Sequence, residues 1–187
     1  KAALGVVEIN SFQSVVMINR GDGFDVSPLP LKAQLAPVFG MAVADFDGDG
    51  IDDLFLAQNF FGTRPDFPRM DAGRGLLLKG NGTGGFAAMP TAESGIRLSG
   101  DQRGCAVADF DRDGRPDLLV GQNAAQTALY RKRLAKRGLR VRLVGQAGNP
   151  TGVGAKLRLG TATALGPARE LRSGGGFRSQ DSAVTVL

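Results

Sequence analysis

Histidine is absent and cysteine occurs once in 187 residues. The missing imidazole removes the commonest general base and the commonest metal ligand together. Cys105 alone cannot close an internal disulfide and excludes every multi-cysteine zinc site, while leaving the redox compartment open. Whatever metal chemistry the chain supports must run through oxygen. No apolar run approaches the roughly 18 residues that span a bilayer, so membrane insertion is not expected. The first residue is Lys1 rather than Met, and no basic-then-apolar leader is visible, so the chain reads as a soluble piece of a longer protein.

What is abundant is turn chemistry. Gly (28) and Pro (9) make up about a fifth of the residues, below the roughly 25–30% of low-complexity chains, so a folded globular chain is expected. The net charge of +5 conceals a division: residues 131–187 carry 12 Lys and Arg against 2 Asp and Glu, leaving 11 against 16 before them. Two regions of opposite surface charge follow. No feature points to nucleic acid.

The acidic part repeats. Gly40-Met-Ala-Val-Ala-Asp-Phe-Asp-Gly-Asp-Gly50 aligns without a gap on Gly104-Cys-Ala-Val-Ala-Asp-Phe-Asp-Arg-Asp-Gly114, at an offset of 64. The likeness continues through Asp53-Leu54 with Asp117-Leu118, and through Ala57-Gln58-Asn59 with Gly121-Gln122-Asn123. Apolar runs within the unit are four to six residues long, rich in Val, Leu and Ile, and bounded by Gly or Asp. They read as short strands near 40–46, 53–59, 75–79 and 86–89. Four short strands per repeated unit is the pattern of a propeller blade. The expected fold class is therefore all-β: a partial β-propeller of about two and a half four-stranded blades followed by a small C-terminal β module. The propeller repeats take residues 1–132 (half blade 1–38, blade 39–102, partial blade 103–132), and the module takes 133–187. Too few blades are present to close a ring, so open edges are expected, met by the remaining blades, by self-association or by a covering segment.

Each repeat carries an aspartate loop. Asp45, Asp47, Asp49 and Asp53 stand at positions 1, 3, 5 and 9 of one nine-residue loop, with Gly50 at position 6; Asp109, Asp111, Asp113 and Asp117 do the same with Gly114. An EF-hand is rejected, because position 12 is Leu56 or Val120 rather than Glu and no helices flank the loop. Position 9 then becomes the closing ligand, and Ile51 and Arg115 at position 7 offer backbone carbonyls. Four carboxylates in nine residues repel one another unless a cation holds them; the bland reading is a solvated acidic turn. Calcium suits an all-protein oxygen cage better than magnesium, which gives up its waters reluctantly. Two calcium sites are expected.

These residues resemble the FG-GAP/VCBS repeat found in the β-propeller of integrin α-subunits and in many bacterial surface proteins. Phe39-Gly40 matches the "FG", whereas the second unit has Arg103-Gly104, and the "GAP" positions read Ala57-Gln58-Asn59 and Gly121-Gln122-Asn123. In the basic part, Asn149-Pro-Thr-Gly-Val-Gly-Ala-Lys156, Arg169-Glu-Leu171 and Gly174-Gly-Gly-Phe-Arg-Ser-Gln-Asp-Ser182 resemble the ASPIC/UnbV domain, a small all-β module that follows such repeats in cartilage acidic proteins. The resemblances imply a calcium-binding, extracellular binding or adhesion scaffold, secreted, periplasmic or at a cell surface, and not an enzyme. The alternative is the non-catalytic portion of a secreted polysaccharide-active enzyme.

Alternation in 139–143 and 155–159 predicts two half-buried strands whose outer faces carry Arg140, Arg142, Lys156 and Arg158. Paired together, they would form a basic surface for a polyanionic glycan or an acidic protein partner. Weaker signals have bland readings. Arg20-Gly21-Asp22 falls in a hairpin turn, and Asn81-Gly82-Thr83 reads as another turn as well as a glycosylation acceptor. Cys105 reads as a packed core thiol. The run Arg131–Arg137 reads as a solvated connection. The long segment 59–73, with Phe60, Phe61, Phe67, Arg64 and Arg69, offers either a ligand contact or aromatic packing between blades.

Overall fold

The computed structural model describes residues 8–162 and 165–187, so the first seven residues of the expected half blade lie outside the described part. It is all-β, built from antiparallel sheets. Strands β1 (Val15–Asn19) and β2 (Phe24–Pro28) form a hairpin, followed by the one-turn helix α1 (Leu31–Gln34). Then β3 (Val38–Ala44), β4 (Asp53–Gln58), β5 (Leu76–Gly80) and β6 (Phe86–Ala88) make a four-stranded sheet in sequence order. After the short helix α2 (Thr91–Ser94), β7 (Asp101–Ala108), β8 (Asp117–Asn123) and β9 (Ala128–Tyr130) make a three-stranded sheet. The strands read from the sequence thus appear within about two residues, in the order that a blade, preceded by half of one and followed by three-quarters of another, requires.

Strand β4 shows why the sheets stack. Every residue from Asp53 to Gln58 is buried. Its alternation sends Leu54 and Leu56 to one side, with Leu29, Ala33, Leu76 and Leu78, against which Val16 of β1 packs. Phe55 and Ala57 point to the other side, with Ala42, Ala44, Leu77, Ile96, Leu98, Cys105, Leu118 and Val120. Period-two alternation in a strand buried on both faces therefore serves two cores, one with the preceding sheet and one with the following sheet. Burying a side chain such as Phe55 or Leu56 contributes about 1.5–3 kcal/mol.

Equivalent bulges interrupt the pairing between Val38 and Gly40 and between Gln102 and Cys105. A Cβ on Gly40 would overlap the Arg103 carbonyl and lie 3.3 Å from the Cys105 amide nitrogen, so the innermost strands of neighbouring blades approach backbone to backbone at a glycine.

The basic part corrects one expectation. Strand β10 (Arg140–Arg142) pairs with β13 (Val184–Val186), and β11 (Lys156–Leu157) with β12 (Arg169–Glu170), in separate two-stranded sheets. The two alternating segments do not pair with each other, so the four-base surface is not assembled. Instead Lys156 stands opposite Glu170 in register, and Arg140 pairs with Asp109 at 2.6 Å. Mutual repulsion favours opposite charges over a row of like ones.

The 131–137 run is largely exposed, as expected of a solvated connection, but it is held to the second blade at particular points. Ala135 is buried, its carbonyl accepts from Arg115 Nε at 2.5 Å, and the Gly138 N–H donates to the Gly114 carbonyl at 2.8 Å. Leu134 remains exposed.

Candidate metal centre

Each aspartate loop joins the first and second strands of its sheet, and its shape follows from carboxylates folding back onto local amides. Asp45 accepts the N–H of Gly48 (2.7 Å) and Asp49 (3.1 Å) on Oδ1 and that of Gly50 (2.8 Å) on Oδ2. Asp109 accepts from Asp113 (2.9 Å) and Gly114 (3.2 Å). Asp47 accepts from the Asp49 amide, Asp49 from the Ile51 amide and Asp113 from the Arg115 amide. Such tight winding needs left-handed backbone: Gly48 and Gly50 have φ of +78° and +88°, and Arg112 and Gly114 at the same positions have +62° and +82°.

The folding gathers acidic oxygens. Asp45, Asp47 and Asp49 each bring one carboxylate oxygen to within 4.8 Å of the other two, as do Asp109, Asp111 and Asp117. Oxygens held 2.3–2.6 Å from one calcium ion lie no more than about 5 Å apart, so both sets fit a hard divalent cation by spacing and by donor type.

Asp53 and Asp113 stand outside these clusters. The Asp53 carboxylate is fully buried and accepts two backbone N–H groups, from Phe46 on Oδ2 and from Gly80 on Oδ1, both at 3.0 Å. It ties the start of its loop to the end of the third strand. Asp117 makes the equivalent pair, to Phe110 and Lys132 at 3.0 Å each, while also reaching its cluster. Burial pushes the Asp53 carboxyl up to about 6, against the pull of the Gly80 amide and with the help of the Asp47 charge. Burial raises Asp117 in the same direction. Asp113 turns to the Arg115 guanidinium at 2.5 Å. Ile51 lies half-buried beneath Gly82, and Arg115 spans from Asp113 to Ala135, each at the position where the sequence offers a carbonyl.

Side chains outside the loops supply counter-charge. Lys79 Nζ bonds Asp47 and, at 2.9 Å, Asp49. Those two carboxylates, Asp47 first, raise the Lys79 ammonium above its ordinary range. Burial acts to raise Asp49, but the Lys79 bond and the Ile51 amide outweigh it and hold the carboxyl low. In the second loop Arg131 faces Asp111 at 3.4 Å and Arg140 faces Asp109. Arg169 pairs with Asp52. Lys79 and Arg131 are repeat equivalents, since each follows the third-strand residue, Leu78 or Tyr130, that pairs with Leu54 or Leu118.

The long segment 59–73 is closed by the isolated bridge between Phe60 and Met70, and Phe60 packs 5.6 Å from the Phe39 ring of the same sheet, so its aromatic packing is within a blade rather than between blades. Arg69 lies 3.9 Å above Phe61, and Phe67 is exposed. Asn81 Oδ1 accepts the amides of Thr83 and Gly85, and Arg20 pairs with Asp25 beside its own hairpin turn, so both short motifs serve turns. Cys105 is 3% exposed, a packed thiol that burial pushes up to about 12.

Residues 64–120 match the family model of the FG-GAP-like repeat. That span is framed half a blade away from the sheets, taking β5 and β6 with β7 and most of β8, and it contains the second aspartate loop. Integrin alpha-7 of Rattus norvegicus is 30% identical over 129 residues, covering 67% of this chain and 11% of the relative. Integrin alpha-7 of Mus musculus is 30% identical over the same length, covering 10% of the relative. The chain thus spans about a tenth of these relatives and carries an FG-GAP-like repeat. No helix among the described residues is long and apolar enough to cross a membrane.

Proposed function

We propose that the chain is a calcium-stabilised, non-catalytic binding scaffold of extracellular adhesion type, secreted, periplasmic or displayed at a cell surface. Residues 1–132 are a run of FG-GAP-type blades, and residues 133–187 are a module of ASPIC/UnbV type docked on them. The observation that carries the reading is the recurrence of one device. Two loops 64 residues apart each gather three carboxylate oxygens, from positions 1, 3 and 5 in the first and 1, 3 and 9 in the second, and both are tied at position 9 to the same place in their sheets. The integrin α relatives and the FG-GAP-like repeat support it.

In this reading Asp45, Asp47 and Asp49 hold the first calcium, and Asp109, Asp111 and Asp117 hold the second. Ile51 and Arg115 contribute carbonyls, Asp53 closes its loop by fixing it to β5, and Asp113 anchors Arg115. A bound calcium supplies positive charge that lets the carboxylates stay ionised side by side. Its chemical work is structural. Extracellular calcium modules bind at roughly 10⁻⁴–10⁻³ M. Titration calorimetry with calcium should therefore show binding in that range that chelator abolishes. No heat at millimolar calcium would overturn the reading. The partner of the scaffold is a protein ligand or the neighbouring blades of its own propeller.

A further inference from the structure

Gly40 on β3 and Gly104 on β7 are the same residue of successive blades, and each is crossed by a foreign backbone. At Gly40 the crossing strand is the innermost strand of the next blade, at Arg103–Cys105. At Gly104 it is the C-terminal region: a Cβ there would lie 2.9 Å from the Phe177 carbonyl oxygen and 3.0 Å from that of Arg178. The likeness is more than a near miss. The Val107 N–H donates to Asp181 Oδ1 at 2.7 Å, and the Ser182 N–H donates back to the Val107 carbonyl at 2.9 Å. The Phe177 ring stands 6.1 Å from the Phe39 ring, so the segment reaches both inner strands.

We infer that residues 177–182 occupy the place of a next blade's innermost strand, making the outward face of β7 an interaction surface whose partner is the chain's own C-terminal segment. The blade stack is then covered on its β7 side. On its other side, among the described residues, the β1–β2 hairpin exposes Met17, Phe24 and Val26. A head-to-tail contact between copies needs an open β7 face on one copy and an open hairpin face on the other, and such contacts propagate without limit unless they close. With β7 covered, association through the hairpin face alone stops at a dimer.

Two variants release the segment in the full chain. Gly104→Val pushes a side chain into the Phe177 and Arg178 carbonyls, and Asp181→Ala removes an exposed carboxylate with no cavity left behind. Gly148→Ala, in open space, is the control. In both release variants the Val107 and Ser182 amides should exchange with solvent roughly tenfold to a hundredfold faster, as expected for losing a charge-assisted bond, while β4 and β5 keep their protection. Sedimentation velocity should show species beyond a dimer that grow with concentration, absent from the parent and from the control. Unchanged exchange in Asp181→Ala, or faster exchange without larger species, would overturn the inference; so would a parent chain that already extends beyond a dimer. If Gly104→Val does not fold, Asp181→Ala decides alone.

Discussion

The Lys79 ammonium bridges Asp47 and Asp49, and it does so from the strand position that Arg131 fills opposite Asp111 in the next blade. A basic residue at the end of the third strand, Lys79 within β5 and Arg131 just past β9, is thus set against the position-3 carboxylate of both loops. Replacing Lys79 by Met removes an exposed competitor for the first site. Exposed ion pairs are weak, so calcium affinity there should rise roughly two- to fivefold. Calorimetry on the variant checks this, and weaker binding would mean that Lys79 supports the site.

The two sites should differ in affinity. Residues 45–53 hold five aspartates and no base, a formal −5, which Lys79 and Arg169 reduce to −3. Residues 109–117 hold four aspartates with Arg112 and Arg115, a formal −2, which Arg131 and Arg140 bring to zero. The first site should bind more tightly. Asp47→Ala should remove the tighter calorimetric event and Asp111→Ala the weaker. Equal affinities would sink the charge argument.

Asp53 has a role that does not need metal. Asp53→Ala strips two buried amides, of Phe46 and Gly80, of their acceptor. Leaving a buried donor unpaired costs roughly 1–3 kcal/mol, so denaturant unfolding should show a loss of about 2–4 kcal/mol in chelator as well as in calcium. A variant as stable as the parent in chelator would show that Asp53 acts as a ligand only.

How much of this was legible in the sequence depends on the range of the contacts. The sheets were, because Val-, Leu- and Ile-rich runs bounded by Gly and Asp state a period and an end. Asp45 and Asp109 were, because their partners lie within five residues. Lys79, Arg131 and Arg140 were missed, since their pairing with the loops spans 20 to 32 residues. A signal existed for two of them. Segment 59–73 is about a dozen residues longer than its counterpart, which shifts equivalence from an offset of 64 to 52 and brings Lys79 onto Arg131. The basic strands were misjudged because alternation fixes which face a side chain takes but not which strand lies beside it.

Cys105 reports on the covering segment through its acidity. Burial first, and then the Asp181 charge, raises the thiol from 9.0 to about 12. The unfolded thiol ionises more readily than the folded one. The folded state is therefore unaffected below pH 9 and loses stability as pH climbs from 9 toward 12. Alkylation at pH 9 should be slow in the native chain and fast in denaturant. Rapid native alkylation would show that the thiol is not sealed.

Gly48 and Arg112 share a left-handed conformation, and Gly48 is also crossed by the backbone, with the Lys136 nitrogen 2.7 Å from where a Cβ would stand. Gly48→Ala should cost at least the roughly 1–2 kcal/mol of the backbone strain. Arg112→Gly relieves that strain and should be neutral or slightly stabilising. Denaturant unfolding of the two variants checks the asymmetry; equal costs would contradict it.

The measurement closest to the central claim is the melting temperature of the parent chain and of the double variant Asp47→Ala/Asp111→Ala, each in 10 mM calcium and in excess chelator. A site with a dissociation constant near 0.1 mM gains about 2.7 kcal/mol at a hundredfold excess of ligand, which in a domain of this size raises the midpoint by about 5–10 °C. The account predicts a rise of that size in the parent and none in the double variant. A parent whose melting is indifferent to chelator, or a double variant that still gains the full rise, would contradict it.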